Sequence, residues 1–454
     1  MINVSKKVSL LALLISMLFV QPTFADSTVS DLGSKPYMGW SSWSEQQFYY
    51  ANIEPKDQHP AYMDWLTAAH VEAQSDILHR LLQKHGYTYI NLDAGWWSGY
   101  DSNGRPLPDS VRFPKGVKDV AAYVHAKGQK IGVYYVPGID DTVLKADPQI
   151  AGTPYHIHDI IFSPVRPANG WNGSAKIDYS KPGAQEYINS IAAELADWGV
   201  DFLKLDGVTP NGDNNGTTAD GRPDVAAWRK ALDQTHRPIW LELSWNLNHD
   251  YAAYWQEYAY GRRITGDVES YGTTYTNWNA IRSRFDAASR WSGDAGVGKG
   301  WNDLDSLDLV NSAAEGINDV EKRTYMTLWS ISCSPLYIGG DLLAIDPVGL
   351  SILTNDEVIA VDQAGRPAER ITGGQQQIWR VQNADGSETV GLFNLDDNNK
   401  ATVSVTWSEL GISGPAKVRD LWQHADLGVQ ADGYSVELAP HACSLLKITP
   451  VKRN

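Results

Sequence analysis

The chain has 454 residues, 43% of them hydrophobic and 20% charged, enough to bury a large core and more than one ordinary domain holds. Its formal net charge of −16 argues against nucleic acid or an anionic membrane as partner and for a neutral substrate. Only Cys333 and Cys443 are present and no Cys/His cluster has metal-ligand spacing, so no zinc site is expected and the two thiols are read as free.

At the N-terminus, Lys6 and Lys7 precede an apolar run over 8–20 and then Thr23-Phe24-Ala25 before Asp26. That is the layout of a secretory signal, assigned to residues 1–25, and the run is short for a bilayer span. The mature protein is expected to be secreted or periplasmic, with no membrane partner.

From about residue 36 to about 350, strand-like runs alternate with longer helical patterns. Strands are predicted at 87–93, 130–136, 201–206 and 238–244, and helices at 117–127 and 184–198, with Gly128 and Gly199 as their stops. A strand–helix repeat of this length predicts a (β/α)8 TIM barrel, placed at 26–360. The competing doubly wound sheet lacks a Gly-x-Gly-x-x-Gly after its first strand. After about Ala360, short alternating runs at 377–382, 389–394, 401–406 and 435–439 are separated by Asp-Gly, Asp-Asp-Asn-Asn and Ser-Gly-Pro turns. They predict a C-terminal antiparallel β-domain over 361–454. No low-complexity linker precedes it, so it is expected to pack closely and cover one flank of the barrel.

Eighteen Trp and 22 Tyr suit a carbohydrate cleft, since sugar C–H faces stack on aromatic rings. Two aspartates then stand out. Asp206 ends an apolar run and precedes a glycine, which puts its carboxylate at a strand's C-terminal end, where barrel enzymes keep their chemistry. Asp267 closes Arg263-Ile-Thr-Gly-Asp267. Taken singly, Asp206 could equally cap a helix and Asp267 join a surface ion pair.

Several ordered motifs carry a resemblance that covers most of the mature chain. Met38-Gly-Trp-Ser-Ser-Trp43, Ile90-Asn-Leu-Asp93, Arg112-Phe-Pro-Lys-Gly116, Trp198-Gly-Val-Asp-Phe-Leu-Lys-Leu-Asp206-Gly and Gly300-Trp-Asn-Asp303 resemble, in this order, the melibiase-type α-galactosidases of glycoside hydrolase family 27. The resemblance implies a (β/α)8 barrel, a C-terminal antiparallel β-sandwich, and metal- and cofactor-independent hydrolysis of α-linked oligosaccharides or polysaccharides with retention. By position, Asp206 resembles the nucleophile and Asp267 the acid/base. Retention needs two such carboxyl groups, one ionised and one protonated at rest. Trp43, Asp93, Tyr134, Lys204, Ser244 and Arg263 resemble the substrate-binding set. Lys204, two residues before Asp206 on the same strand face, is expected to help keep it ionised. Trp301-Asn-Asp303 is expected either to shape the same mouth or to serve as a structural cap.

Departures from the family pattern bear on the substrate. The family's second aspartate, which grips the axial 4-hydroxyl of galactose, is Ala94 here. Ser244 before Trp245 is similar to the α-N-acetylgalactosaminidase arrangement, and Val208 replaces a cysteine that braces the loop after the nucleophile. α-Galactosidase is the first expectation. An α-1,6-glucan hydrolase of the isomaltodextranase type is the main rival, with α-N-acetylgalactosaminidase and β-L-arabinopyranosidase behind it. From another class, a carbohydrate-binding protein on a degenerate barrel is disfavoured because both carboxylates persist. Oligomeric state has no signal in the sequence.

Overall fold

The computed structural model describes residues 32–52, 62–169, 174–212 and 219–451. The expected export segment lies outside these, as do Asn172 and Asn215, each of which opens an Asn-x-Ser/Thr motif. Eight short strands form one sheet: β1 (Met38–Ser41), β2 (Tyr89–Leu92), β3 (Lys130–Tyr135), β4 (Phe202–Leu205), β5 (Trp240–Leu243), β6 (Gly261–Arg263), β7 (Trp301–Asp303) and β8 (Leu336–Ile338). They pair in the order β7-β6-β5-β4-β3-β2-β1-β8, every ladder parallel. The ring closes through a parallel bridge from Leu307, just past β7, to Ile338 in β8. There the Leu307 amide donates to the Tyr337 carbonyl oxygen at 2.7 Å. This is the TIM barrel that the sequence predicts.

The helices used below are α1 (Trp43–Asn52), α2 (Val117–His125), α3 (Ala184–Asp197), α4 (Trp278–Trp291), α5 (Asp319–Ile331) and α6 (Asp356–Gln363). α2 buries Val117, Val120, Ala121 and Val124, and α3 buries Ala184, Tyr187, Ile188 and Ile191, the i, i+3, i+4, i+7 stripe that packs a helix on a sheet. Both stop at the predicted glycines. Gly128 and Gly199 take φ of +73° and +87°, and their amides return to the His125 and Ala196 carbonyls at 2.8 and 3.0 Å, which satisfies carbonyls the helix leaves open.

The barrel's two ends differ in chemistry. At the strand starts Tyr37, Tyr89, Phe202, Trp240 and Tyr337 form a buried ring cluster, with Tyr37 edge-on to Phe202 at 5.0 Å. Toward the strand ends the interior turns polar, with Asn91, Glu242, Arg263 and Asp303 all buried. Close approach there requires glycine: a Cβ on Gly132 would lie 2.2 Å from the Asn91 side-chain oxygen.

Beyond α6 the chain is all strands: β9 (Glu369–Thr372), β10 (Gln376–Gln382), β11 (Glu388–Asn394), β12 (Ala401–Thr406), β13 (Ala416–Asp420), β14 (Ala425–Gln430), β15 (Gly433–Leu438) and β16 (Cys443–Pro450). A six-stranded sheet, β9-β10-β11-β16-β13-β14, faces the β12-β15 ribbon across a core that includes Ile378, Leu392, Val405 and Leu446. Its other face sends Trp379, Phe393 and Leu445 into the barrel's own core. The sandwich thus covers one flank of the barrel. Cys333 and Cys443 are free thiols, each pushed up by burial. No helix among the described residues is long and apolar enough to cross a membrane.

Candidate active site

A cavity of about 550 Å³ opens at the strands' C-terminal ends. Six of the eight expected site residues line it: Trp43, Asp93, Tyr134, Lys204, Asp206 and Asp267. Trp43 opens α1 directly behind β1, Asp93 follows β2, Tyr134 and Lys204 lie in β3 and β4, and Asp206 follows β4. Asp267 stands four residues beyond the end of β6. Five different strands present the six, Lys204 and Asp206 sharing β4, so the parallel barrel brings to one rim residues spread over more than 200 positions of sequence.

The backbone of Asp206 is pinned on both sides. Its amide donates to the Tyr135 carbonyl at 2.8 Å, and the Val208 amide donates to the Ser244 carbonyl at 2.9 Å. The side chain is buried, and Oδ1 has no protein partner. Lys204 does not pair with it directly: its ammonium donates to Asp93 Oδ2 at 2.7 Å. Asp93 in turn accepts the Ala94 amide at 2.8 Å through Oδ1. Burial opposes the Lys204 charge, but Asp93 and Asp206 outweigh it and hold the lysine well above its ordinary range.

On the opposite wall Asp267 is held by two donors. Arg263 reaches Oδ1 at 2.7 Å, and the Tyr271 hydroxyl donates to Oδ2. Tyr271 also accepts the Trp43 indole N–H at 3.1 Å. The same Arg263 pairs with Asp305 at 3.0 Å, and Asp305 accepts the Val268 amide at 2.7 Å, which fixes the segment carrying Asp267.

These contacts set the electrostatics of the open site. Burial raises the Asp206 carboxyl above its ordinary value, Lys204 pulls it down without cancelling the rise, and Asp93 adds to it. For Asp267 burial also acts upward, but Arg263, the Tyr271 hydroxyl and Lys204 win and lower it. Lys204 therefore favours the ionised form of Asp206, as expected, while burial dominates the net direction.

Two expected substrate contacts do not reach the cavity. Ser244 is fully buried: it stands one residue past β5, in step with Glu242, and its side chain lies against the Asp206 carboxyl. Trp245 lines the cavity instead. Arg263 sits behind Asp267, 2% exposed, as an ion-pair partner of two carboxylates. Asp303 lies in the buried layer beneath, accepting from the Tyr337 hydroxyl at 3.2 Å and the Asp305 amide at 2.7 Å, and burial lifts it to about 7. It caps a turn inside the barrel and does not line the mouth.

The cavity also contains Met63, Ala94, Glu269 and Tyr271, none of which the sequence reading placed there as a site residue. Glu269 and Tyr271 follow Asp267 at two and four positions. Met63 arrives from the turn Tyr62–Trp65 between β1 and β2 and lines the cavity along with Ala94, apolar atoms near where the family carries a second carboxylate.

The model of the "Alpha galactosidase A" family matches residues 35–144 and 173–364, and that of the "Alpha galactosidase C-terminal beta sandwich domain" matches residues 373–448. An α-galactosidase of Cyamopsis tetragonoloba is 30% identical over 427 residues, 92% of this chain and 87% of that protein. Among solved structures, the family 27 β-L-arabinopyranosidase of Geobacillus stearothermophilus superposes with a TM-score of 0.82 at 29% identity, covering 95% of this chain and 100% of that one. α-Galactosidase I of Mortierella vinacea gives 0.70 at 25% identity over 92% and 99% of the two chains. Barrel, sandwich and both model matches agree: the chain belongs to the α-galactosidase A family, the melibiase-type glycosidases of glycoside hydrolase family 27.

Proposed function

We propose that the protein is an exported, retaining α-galactosidase that releases terminal α-D-galactose, with Asp206 as nucleophile and Asp267 as acid/base. The observation that carries this is the placement of the two carboxyl groups on the wall of one cavity at the barrel's C-terminal face, with Trp43 and Tyr134 beside them. In the first step Asp206 attacks the anomeric carbon while Asp267 gives a proton to the leaving oxygen. In the second step Asp267 takes a proton from water as it hydrolyses the glycosyl-enzyme. Asp93 and Lys204, joined as an ion pair on the cavity floor, offer an acceptor and a donor for sugar hydroxyls. Relatives named α-galactosidases, 30% identical over nearly the whole chain, support galactose as the first substrate to test.

A second reading has its own observation. Ala94 and Met63 line the cavity where a carboxylate would hold a galactose hydroxyl. An apolar corner costs roughly 1–3 kcal/mol for each substrate hydroxyl it leaves unpaired. β-L-Arabinopyranose keeps the axial 4-hydroxyl of α-D-galactose and lacks only the hydroxymethyl group, so the choice between these two sugars rests on the likeness to the Geobacillus stearothermophilus enzyme.

The test is initial hydrolysis of 4-nitrophenyl α-galactoside, β-L-arabinopyranoside and α-glucoside, with melibiose and dextran as natural bonds, by wild type and Asp206→Asn. The galactoside is expected to turn over with retention, and the variant to lose about 10⁴-fold or more in kcat. Preference for the arabinopyranoside would establish the second reading. Turnover confined to glucoside or dextran, or undiminished in the variant, overturns the proposal.

A further inference from the structure

A retaining mechanism needs a proton on Asp267 at the moment of bond breaking, yet Arg263 and Tyr271 both donate to that carboxylate and favour its charged form. The proton therefore has to be kept nearby. Three carboxyl groups meet behind the cavity wall: among the described residues, Asp267, Glu269 and Asp305 have oxygens lying within 4.8 Å of one another. One guanidinium serves two of them, with Arg263 at 2.7 Å from Asp267 and 3.0 Å from Asp305. Among the described residues no cation forms an ion pair with Glu269, and Arg284 feels its charge only without contact. Its Oε1 accepts the Ser44 hydroxyl at 2.6 Å, and its Oε2 is buried without a partner. Glu269 is 6% exposed and lines the same cavity as Asp267.

We propose that Glu269 is a positioning residue that stores the acid's proton, its carboxyl group sharing one proton with Asp267 across the cavity wall. This deepens the acid/base reading of Asp267 and rests on it. A buried carboxyl that lacks a cation and keeps one oxygen unpaired is stable only in its neutral form. Burial, with Asp305, Asp267 and Asp308 facing it from three segments, holds Glu269 well above the ordinary carboxylate range, and the Ser44 hydroxyl opposes this only in part. The proton count closes over the cycle. Glu269 passes its proton to Asp267, and Asp267 passes it to the leaving oxygen as the glycosidic bond breaks and Asp206 bonds to the anomeric carbon. Water then attacks that carbon and frees Asp206, its proton going to Asp267 and back to Glu269.

The sign of the pH effect follows. While Glu269 can ionise, its growing negative charge raises the proton affinity of Asp267, so the acid stays available to higher pH. A neutral amide removes this. For Glu269→Gln, the basic limb of kcat/KM on an alkyl galactoside is expected to move down by roughly one pH unit or more. On an activated 2,4-dinitrophenyl galactoside, whose leaving group needs no proton, kcat/KM, which reports only the first step, should stay near the wild-type value. Glu269→Asp, which keeps an ionisable group, should restore much of the limb. Ser44→Ala, which removes a donor that favours the charged form, should move it up and supplies the readout where the Gln variant does not fold. Unmoved limbs with an equal loss on both substrates would reduce Glu269 to a structural part and overturn the inference. Asp267→Ala is run in parallel. If it keeps its rate on the alkyl galactoside, the acid/base reading itself fails. If it collapses there while the Glu269 variants leave the limbs in place, only the stored proton fails.

Discussion

Tyr271 also acts on Asp267. Its hydroxyl donates to the carboxylate and receives the Trp43 indole N–H, and 45% of the residue is exposed, so its ring stands at the mouth of the cavity. Burial leads the shifts on Asp267 upward, and Arg263 and the Tyr271 hydroxyl reverse it. Tyr271→Phe deletes one of the two reversing donors and keeps the ring. The Asp267 pKa then rises, the protonated acid survives to higher pH, and the basic limb is expected to move up by a fraction of a unit to about one unit. A pH profile of kcat/KM on an alkyl galactoside measures this, and a downward move would contradict it. Neither Tyr271 nor Glu269 was legible in the sequence as a site residue. Asp206 announces itself by ending a strand, whereas these two lie on an irregular segment where no periodicity says which side chains turn inward. Ser244 shows the converse: its step with Glu242 was readable, but its burial off the cavity wall depends on what packs around the strand end.

At the scale of single elements, the barrel depends on small residues where strands approach each other's side chains. An added Cβ at Gly132 in β3 would come within 2.2 Å of Asn91 Oδ1 in β2 and 2.7 Å of the Phe202 ring in β4. Gly132→Ala is therefore expected to destabilise the fold by about 1–3 kcal/mol, as overpacking does. Shortening Asn91 to Ala in the same chain should return part of that, with a coupling of at least about 0.5 kcal/mol in denaturant melts. Strict additivity of the two changes would place the clash elsewhere. Strand length also decides what periodicity can reveal. The four strands predicted outright, β2 to β5, span four to six residues and are rich in Ile, Val, Leu and aromatics. By contrast β6, β7 and β8 have three residues each, too few to show an alternation, and β6 and β7 carry buried charge in Arg263 and Asp303. Their existence was implied only by the strand–helix repeat and by resemblance.

At the scale of the whole molecule, the barrel and the sandwich share one core. Trp379 and Phe393 of the sandwich meet Phe285 of α4 at 6.2 and 5.0 Å, and Leu445 joins the same buried cluster. α5 is enclosed on nearly every side, with Tyr325, Met326, Leu328, Trp329 and Ile331 all buried. It is tied to the sandwich by the Trp422 indole donating to Thr327 at 2.9 Å and by His441 on Glu321 at 2.6 Å. α5 leads into β8, the strand that closes the barrel against β7 through the Leu307 bridge. Beside that seam Asp305 holds Arg263, and Arg263 holds Asp267. The sandwich thus supports the seam beside the Arg263–Asp267 wall of the cavity, 100 residues and more away in sequence. Two consequences are expected. The full chain unfolds in a single calorimetric transition, and Trp379→Ala lowers the temperature of the whole transition, at a cost of about 3–5 kcal/mol. A chain ending at residue 364 exposes the Phe285 face and loosens the seam, so it should aggregate or, where soluble, lose turnover. Two separated transitions, or a soluble barrel fragment that keeps its rate, would show that the sandwich only covers the flank and that β1 and the Leu307 bridge hold β8 unaided.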